Sequence, residues 1–86
     1  MEKSIGSAEQ VCLQKLLRQV RKEAGLTQVD LAARLKTGQS TISNYERGER
    51  RLDLVELAQV CDGIGIKLKE FVDRFEKTCR VNMERT

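Results

Sequence analysis

Apolar residues in this chain recur at three- and four-residue steps, and no stretch sustains the two-residue alternation of a half-buried strand. The pattern predicts five helices. The first carries Leu13, Leu16, Leu17, Val20 and Ala24 on one stripe. Gly25 follows, where a helix commonly stops on a left-handed residue. Thr27 stands three residues before Asp30, which makes a near-capping box with Asp in place of the usual Glu or Gln. The helix it opens has Leu31, Ala32 and Leu35 inside. After the connection Lys36-Thr37-Gly38, a short helix from about Gln39 to Arg47 has Ile42 and Tyr45 as its apolar pair, and Gly48 ends it. Asp53 and Glu56 form a second capping box. Their helix is expected to bury Leu54, Leu57, Ala58, Cys61 and Ile64 and to end at Gly65. The last helix spans roughly Leu68 to Phe75, with Leu68, Phe71, Val72 and Phe75 apolar and expected first of all in the core, and Lys67 a poor N-cap. Residues 1–8 and 78–86 read as loosely ordered, leaving an ordered core of about 9–77. The 86 residues are expected to form a single domain.

Within that frame, residues 28–47 are two short helices joined by a three-residue turn, a helix-turn-helix. Ala32 sits where the two helices cross, so a larger side chain would push them apart. Leu31, Leu35, Ile42 and Tyr45 seal the angle from beneath. The outer face of the second helix then carries Gln39, Ser40, Thr41, Ser43 and Asn44. Asn and Gln make paired hydrogen bonds to adenine, and Ser or Thr bonds either base type, in a major groove wide enough for a helix. A solvated polar face is the plainer alternative. Thr41 and Ser43 also have the option of bonding their own helix backbone. Gln28 lies in the first turn of its helix, where N–H groups and the dipole favour an anion. Arg47, Arg50 and Arg51 follow the second helix and are candidates for flanking phosphates, with Glu49 weakening the local field.

Charge changes this picture little in total and more in distribution. The net charge is only +3, yet residues 14–51 hold nine basic side chains against four acidic, and residues 52–76 hold three basic against six acidic. A basic half and an acidic half suggest one face for an anion. Cys12, Cys61 and Cys79 are odd in number, form no CxxC pair and have no His beside them, so a zinc site is not expected and the three are read as reduced thiols. Without His, a partnered Cys or a glycine-rich phosphate loop, nothing points to an enzyme. No cofactor is expected. The lack of an apolar run long enough for a bilayer, and of a secretory signal, suggests a cytoplasmic protein with no membrane partner.

The stretches LLRQVRKEAGLTQVDLAARL and QSTISNYERGERRLDLVELAQVCDGIGI resemble the lambda-repressor/Cro-like (XRE) helix-turn-helix family over roughly residues 13–75. The resemblance implies an all-α, compact five-helix DNA-binding domain. It further implies a sequence-specific transcriptional regulator, usually a dimer on a two-fold double-stranded DNA site, with helix 39–47 in the major groove. It marks Gln39, Ser40 and Asn44 as base-reading positions and pairs Arg21 with Glu46 in a structural salt bridge. One departure stands out. Lys36 occupies the place of the family's usual turn Gly, Thr37 that of an apolar residue, and Gly38 that of a Ser or Thr N-cap. A non-Gly residue held left-handed costs about 1–2 kcal/mol, and the departure predicts a turn of slightly different path. A homodimer on an inverted repeat is expected, with Val55, Val60, Ile66 and the outer side of the last helix as the dimer patch. The alternative is an antitoxin or other protein-binding module, whose toxin-binding element would be the tail with Val81 and Met83. An activator would instead touch RNA polymerase through Glu49, Asp53 and Glu56.

Overall fold

The computed structural model describes residues 7–80, which form five helices and, among the described residues, no strand. They are α1 (Ser7–Glu23), α2 (Gln28–Leu35), α3 (Gln39–Arg47), α4 (Leu54–Ile64) and α5 (Leu68–Cys79). Helix α2 lies between α3 and α4, while α1 spans from α3 to α5 and α4 closes onto α5. Helices α2 and α4 start where their caps dictate. The Thr27 hydroxyl accepts from the Asp30 N–H at 3.0 Å, and the Asp30 carboxylate accepts from the Thr27 N–H at 2.9 Å. Asp53 and Glu56 repeat this reciprocal pairing at the head of α4. The heads of α3 (Gly38) and α5 (Lys67) have no side-chain cap bond.

One core serves all five helices. Leu16, Leu17 and Val20 of α1 meet Leu31 and Ala32 of α2, Ile42 and Tyr45 of α3, and Val60, Cys61 and Ile64 of α4. Phe71 of α5 is fully buried among them, a side chain whose removal from water contributes roughly 2–3 kcal/mol. Leu13, Leu35, Leu57, Leu68 and Phe75 pack on the rim. Several expectations are corrected. Helix α1 starts at Ser7 and α5 runs to Cys79, so both reach into stretches read as loose. Ala24 lies beyond the end of α1 and is exposed. Leu54, expected inside, is 67% exposed, whereas Val60, expected on a dimer patch, is 3% exposed and belongs to the core. Val72 is exposed rather than buried. Val81 and Met83 lie outside the described residues.

The turn between α2 and α3 follows a regular path, contrary to the altered one expected from its residues. Lys36 has φ 59° and ψ 44° and is the one non-glycine with positive φ among the described residues. Around it Thr37 N–H donates to Ala32 O at 2.9 Å and Lys36 N–H to Ala33 O at 3.2 Å, the paired bonds of a Schellman motif. The end of α3 has the same two bonds around Gly48, with Glu49 N–H on Asn44 O and Gly48 N–H on Tyr45 O. One geometry is thus built once with glycine and once with lysine, because the bonds closing the helix fix the left-handed residue whatever its side chain. A second tight place joins α2 to α4. A Cβ on Gly63 would lie 2.8 Å from Leu35 Cδ2 and 3.0 Å from Leu31 Cδ1, so the bare glycine lets the two helices approach.

These two sites give opposite predictions in urea unfolding. Lys36→Gly relieves left-handed strain, partly offset by the freer unfolded chain, and should stabilise by about 0.5–1 kcal/mol. Gly63→Val forces α2 and α4 apart and should destabilise by roughly 1–3 kcal/mol. A lower midpoint for the first, or an unchanged one for the second, would refute the corresponding assignment.

Candidate nucleic-acid interface

A helix of nine residues is too short to hold its own shape in water, so the pose of α3 must come from what it is packed on. Ile42 and Tyr45 give it an apolar underside. The third buried residue on that side is an acid. Glu46 is 6% exposed, and so is Arg21 of α1 beside it. Arg21 Nε donates to Glu46 Oε2 at 2.6 Å and Nη2 to Oε1 at 3.0 Å, a two-pronged pair, while Nη1 donates to Leu26 O at 2.8 Å. Gln28 Nε2 donates to Glu46 Oε1 at 3.0 Å, and Gln39 Nε2 donates to Gln28 Oε1 at 3.1 Å. A single chain of bonds thus runs from the interior of α1 through α3 to the first residues of α2 and α3, where it reaches solvent. At the other end of α3, the Gln14 side chain of α1 lies over Gly48 so closely that a Cβ there would fall 2.3 Å from its Nε2.

The five α3 residues singled out in the sequence do not share one direction. With about 100° between successive residues, Ser40, Ser43, Asn44 and Arg47 face away from the buried Ile42, Tyr45 and Glu46. Gln39 sits at the edge next to Gln28. Thr41 sits at the opposite edge, where it accepts a hydrogen bond from Thr37 Oγ1 at 3.1 Å and joins Tyr45 in lining a groove against α4. Asn44 Oδ1 accepts from Arg47 Nη2 at 3.0 Å, and Arg47 also reaches Glu49 at 3.1 Å.

The cations flanking α3 are held by exposed partners. Arg50 Nη2 donates to Glu56 Oε2 at 3.1 Å, and its guanidinium lies 5.5 Å from the Tyr45 ring centroid. Arg51 is exposed. Surface pairs of this kind contribute about 0–1 kcal/mol, weak enough for an anion to displace the carboxylates. Glu49, Asp53 and Glu56, which the sequence offered as an acidic patch, are largely engaged in these pairs and in the α4 capping box. The Asp53 N–H, and then Arg50, hold the Glu56 carboxyl below the usual carboxylate range. The Thr27 N–H does the same for Asp30, and burial pushes the Tyr45 phenol up.

Two further cations belong to this face and were not found from the sequence. Arg18 of α1 is 56% exposed at its side chain, with Nε 3.9 Å from Glu46 Oε1. Lys22, one turn on, lines a shallow depression with Gln28 and Gln39. The four-residue steps Gln14, Arg18 and Lys22 were the available signal, since they place these residues on one flank of α1, along the length of α3.

The chain belongs to the XRE-type helix-turn-helix family. A helix-turn-helix family model matches residues 17–71. An XRE-family like protein from Pseudomonas syringae pv. tomato str. DC3000 is 41% identical, with a TM-score of 0.81 over 87% of this chain and 92% of that one. A Tyr-to-Phe mutant of the restriction-modification controller protein C.Esp1396I is 25% identical, with a TM-score of 0.74 over 83% of this chain and 89% of that one. Among curated proteins, none matches this chain. No helix of the described residues is long and apolar enough to cross a membrane.

The buried pair yields a prediction with an internal control. Glu46→Ala leaves Arg21 charged and unpartnered in the interior and should cost about 3–5 kcal/mol of stability. Replacing both, Arg21→Met with Glu46→Leu, should recover most of that loss. Unfolding measurements in which Glu46→Ala matches the parent would show that the pair does not anchor α3.

Proposed function

We propose that this protein is a sequence-specific DNA-binding transcription regulator that lays α3 in the major groove. The observation that carries the reading is the two-sidedness of α3. Its inner face is fixed by a buried ion pair, and its outer face offers Ser40, Ser43, Asn44 and Arg47 with no apolar residue among them. Rigid placement of polar side chains is what base reading needs. Likeness to a restriction-modification controller protein supports the same reading.

In this reading Ser40 and Asn44 read base edges from the centre of the face, with Ser43 beside them and Gln39 at the α2 edge. Thr41 contributes least, being turned toward α4. Gln28, at the first turn of α2, takes a phosphate on the free N–H groups there, and its bond to Gln39 ties that phosphate to the base-reading edge. Arg47, Arg50 and Arg51 hold phosphates on one side of the groove, and Arg18 and Lys22 on the other. Such contacts set position and carry no sequence information. A single α3 reads few base pairs, so the operator is an inverted repeat bound by a homodimer, with half-sites ~34 Å apart. Val55 and Val72 are exposed and remain available to a dimer contact once Val60 is withdrawn into the core.

Selection from a random duplex library at two salt concentrations tests this. The expected result is an enriched inverted repeat whose affinity falls steeply with salt. Asn44→Ala should relax the preference at one position of each half-site by about 1–3 kcal/mol. Arg18→Ala with Lys22→Ala should leave the preferred sequence unchanged and flatten the salt slope by roughly 2 per protomer. No enrichment, with binding only at low salt, would overturn the reading and direct attention to a protein partner.

A further inference from the structure

The three cysteines, expected as reduced thiols, are not alike in the structure. Cys12, near the start of α1, and Cys79, the last residue of α5, are joined by a disulfide across 67 positions of sequence, with Cα atoms 5.7 Å apart. Cys61 is the free cysteine among the described residues and lies in the core. The bond encloses the whole helix-turn-helix, because every residue from α1 to α5 that builds it lies between the two sulfurs.

Its neighbourhood shows what the bond adds. The seam between α1 and α5 is apolar in the middle, where Phe71 is fully buried and Phe75 partly so. Toward the α1 C-terminus it is clipped by Arg74, whose Nη1 and Nη2 donate to the two Glu23 oxygens at 2.8 and 3.1 Å. At the other end stand Arg80 Nε, 2.9 Å from Glu9 Oε2, and Arg80 Nη1, 3.2 Å from Glu76 Oε2. These are part-exposed ion pairs of the kind that salt screens. With the disulfide open, the Arg80–Glu9 pair still ties the end of α5 to α1.

We propose that Cys12 and Cys79 form a dithiol–disulfide redox site that clasps the end of α5 onto α1, set by the low-molecular-weight thiol and disulfide pool around the protein. Closing the clasp is ordinary thiol–disulfide exchange. The thiolate of one cysteine attacks a small disulfide, such as oxidised glutathione, and releases one glutathione thiol. The second cysteine then displaces the other glutathione from the mixed disulfide. Two protein thiols and one small disulfide become one protein disulfide and two small thiols, with protons and electrons balanced. Cys61 does not compete: burial pushes its thiol up to about 11 and keeps it protonated. The α3 side chains stand far along the chain from both sulfurs, and Arg18 and Lys22 lie on α1 beyond Cys12 toward the helix end that Arg74 clips, so oxidation alters how firmly the domain is closed more than the surface α3 presents. In a reducing compartment the site rests as two thiols. When small disulfides accumulate, the domain locks.

The test needs no DNA and stands apart from the proposed function. The full chain is equilibrated with either oxidised glutathione or excess dithiothreitol, unfolded under acid quench, alkylated and weighed, and its melting is followed in parallel. One alkylated thiol after oxidation and three after reduction are expected, with no disulfide between chains in the oxidised form. Oxidised protein should melt roughly 10 °C or more above reduced protein, the scale for closing a loop of this length in a small domain. Cys12→Ser and Cys79→Ser should each melt with the reduced parent under both treatments, with oxidised glutathione taking the remaining cysteine no further than a mixed disulfide. The reduced parent also serves as the unmutated control should a serine variant fold poorly. Three alkylatable thiols after oxidation, a bond between two chains, or a disulfide that leaves the melting temperature unchanged would each overturn the proposal.

Discussion

Everything on the functional face of this molecule depends on one buried carboxylate. A charge taken out of water is tolerable only with its counter-charge and hydrogen bonds in good geometry, and Glu46 has three N–H donors from two other helices within 3.0 Å. The requirement acts as a constraint on pose. Shifting α3 by an ångström against α1 or α2 would break a short, charged bond inside the protein. Apolar contacts alone would not be as strict, since burial of Ile42 and Tyr45 is non-directional whereas the bonds to Glu46 fix angles as well as distances.

The same network explains why a short helix and an unusual turn are compatible. The α2–α3 connection holds a lysine in the left-handed region, at a cost of about 1–2 kcal/mol. The rigid seat of α3, together with the Schellman bonds, determines the path of the three connecting residues. The turn therefore obeys the helices rather than directing them. Gln28 and Gln39 complete the arrangement by carrying the interior bond chain to the surface, so that the first residues of α2 and α3 are held as one unit.

Much of this was legible in the sequence, and what was not has definite physical reasons. Helix number and order followed from apolar spacing, and both capping boxes stand where Thr27–Asp30 and Asp53–Glu56 placed them. The inward face of α4 was read in part: Cys61 and Ile64 are buried and Leu57 packs on the core as expected, but Val60 is inside and Leu54 is not. Its apolar residues encircle most of the helix, so periodicity has no single phase there, and only the docking of α2 against Gly63 decides for Val60 over Leu54. The meeting of Arg21 and Glu46, 25 residues apart, came from family resemblance and not from spacing. Cys12 and Cys79 were missed because their meeting depends on α5 lying back along α1, which no local pattern encodes. Arg18 and Lys22 were overlooked for a related reason: an exposed cation on a helix looks the same in sequence whichever neighbour its flank adjoins.

The central claim is that the outer face of a firmly seated α3, with the flank of α1 beside it, is the surface that meets DNA. The most direct measurement is a titration of the isotope-labelled chain with a duplex, followed by the amide resonances. The account predicts that the largest shifts fall on residues 39–48, on the first turn of α2 and on Arg18 and Lys22, with α4 and α5 little changed. Shifts concentrated on α4 and α5 while α3 stays silent would contradict it.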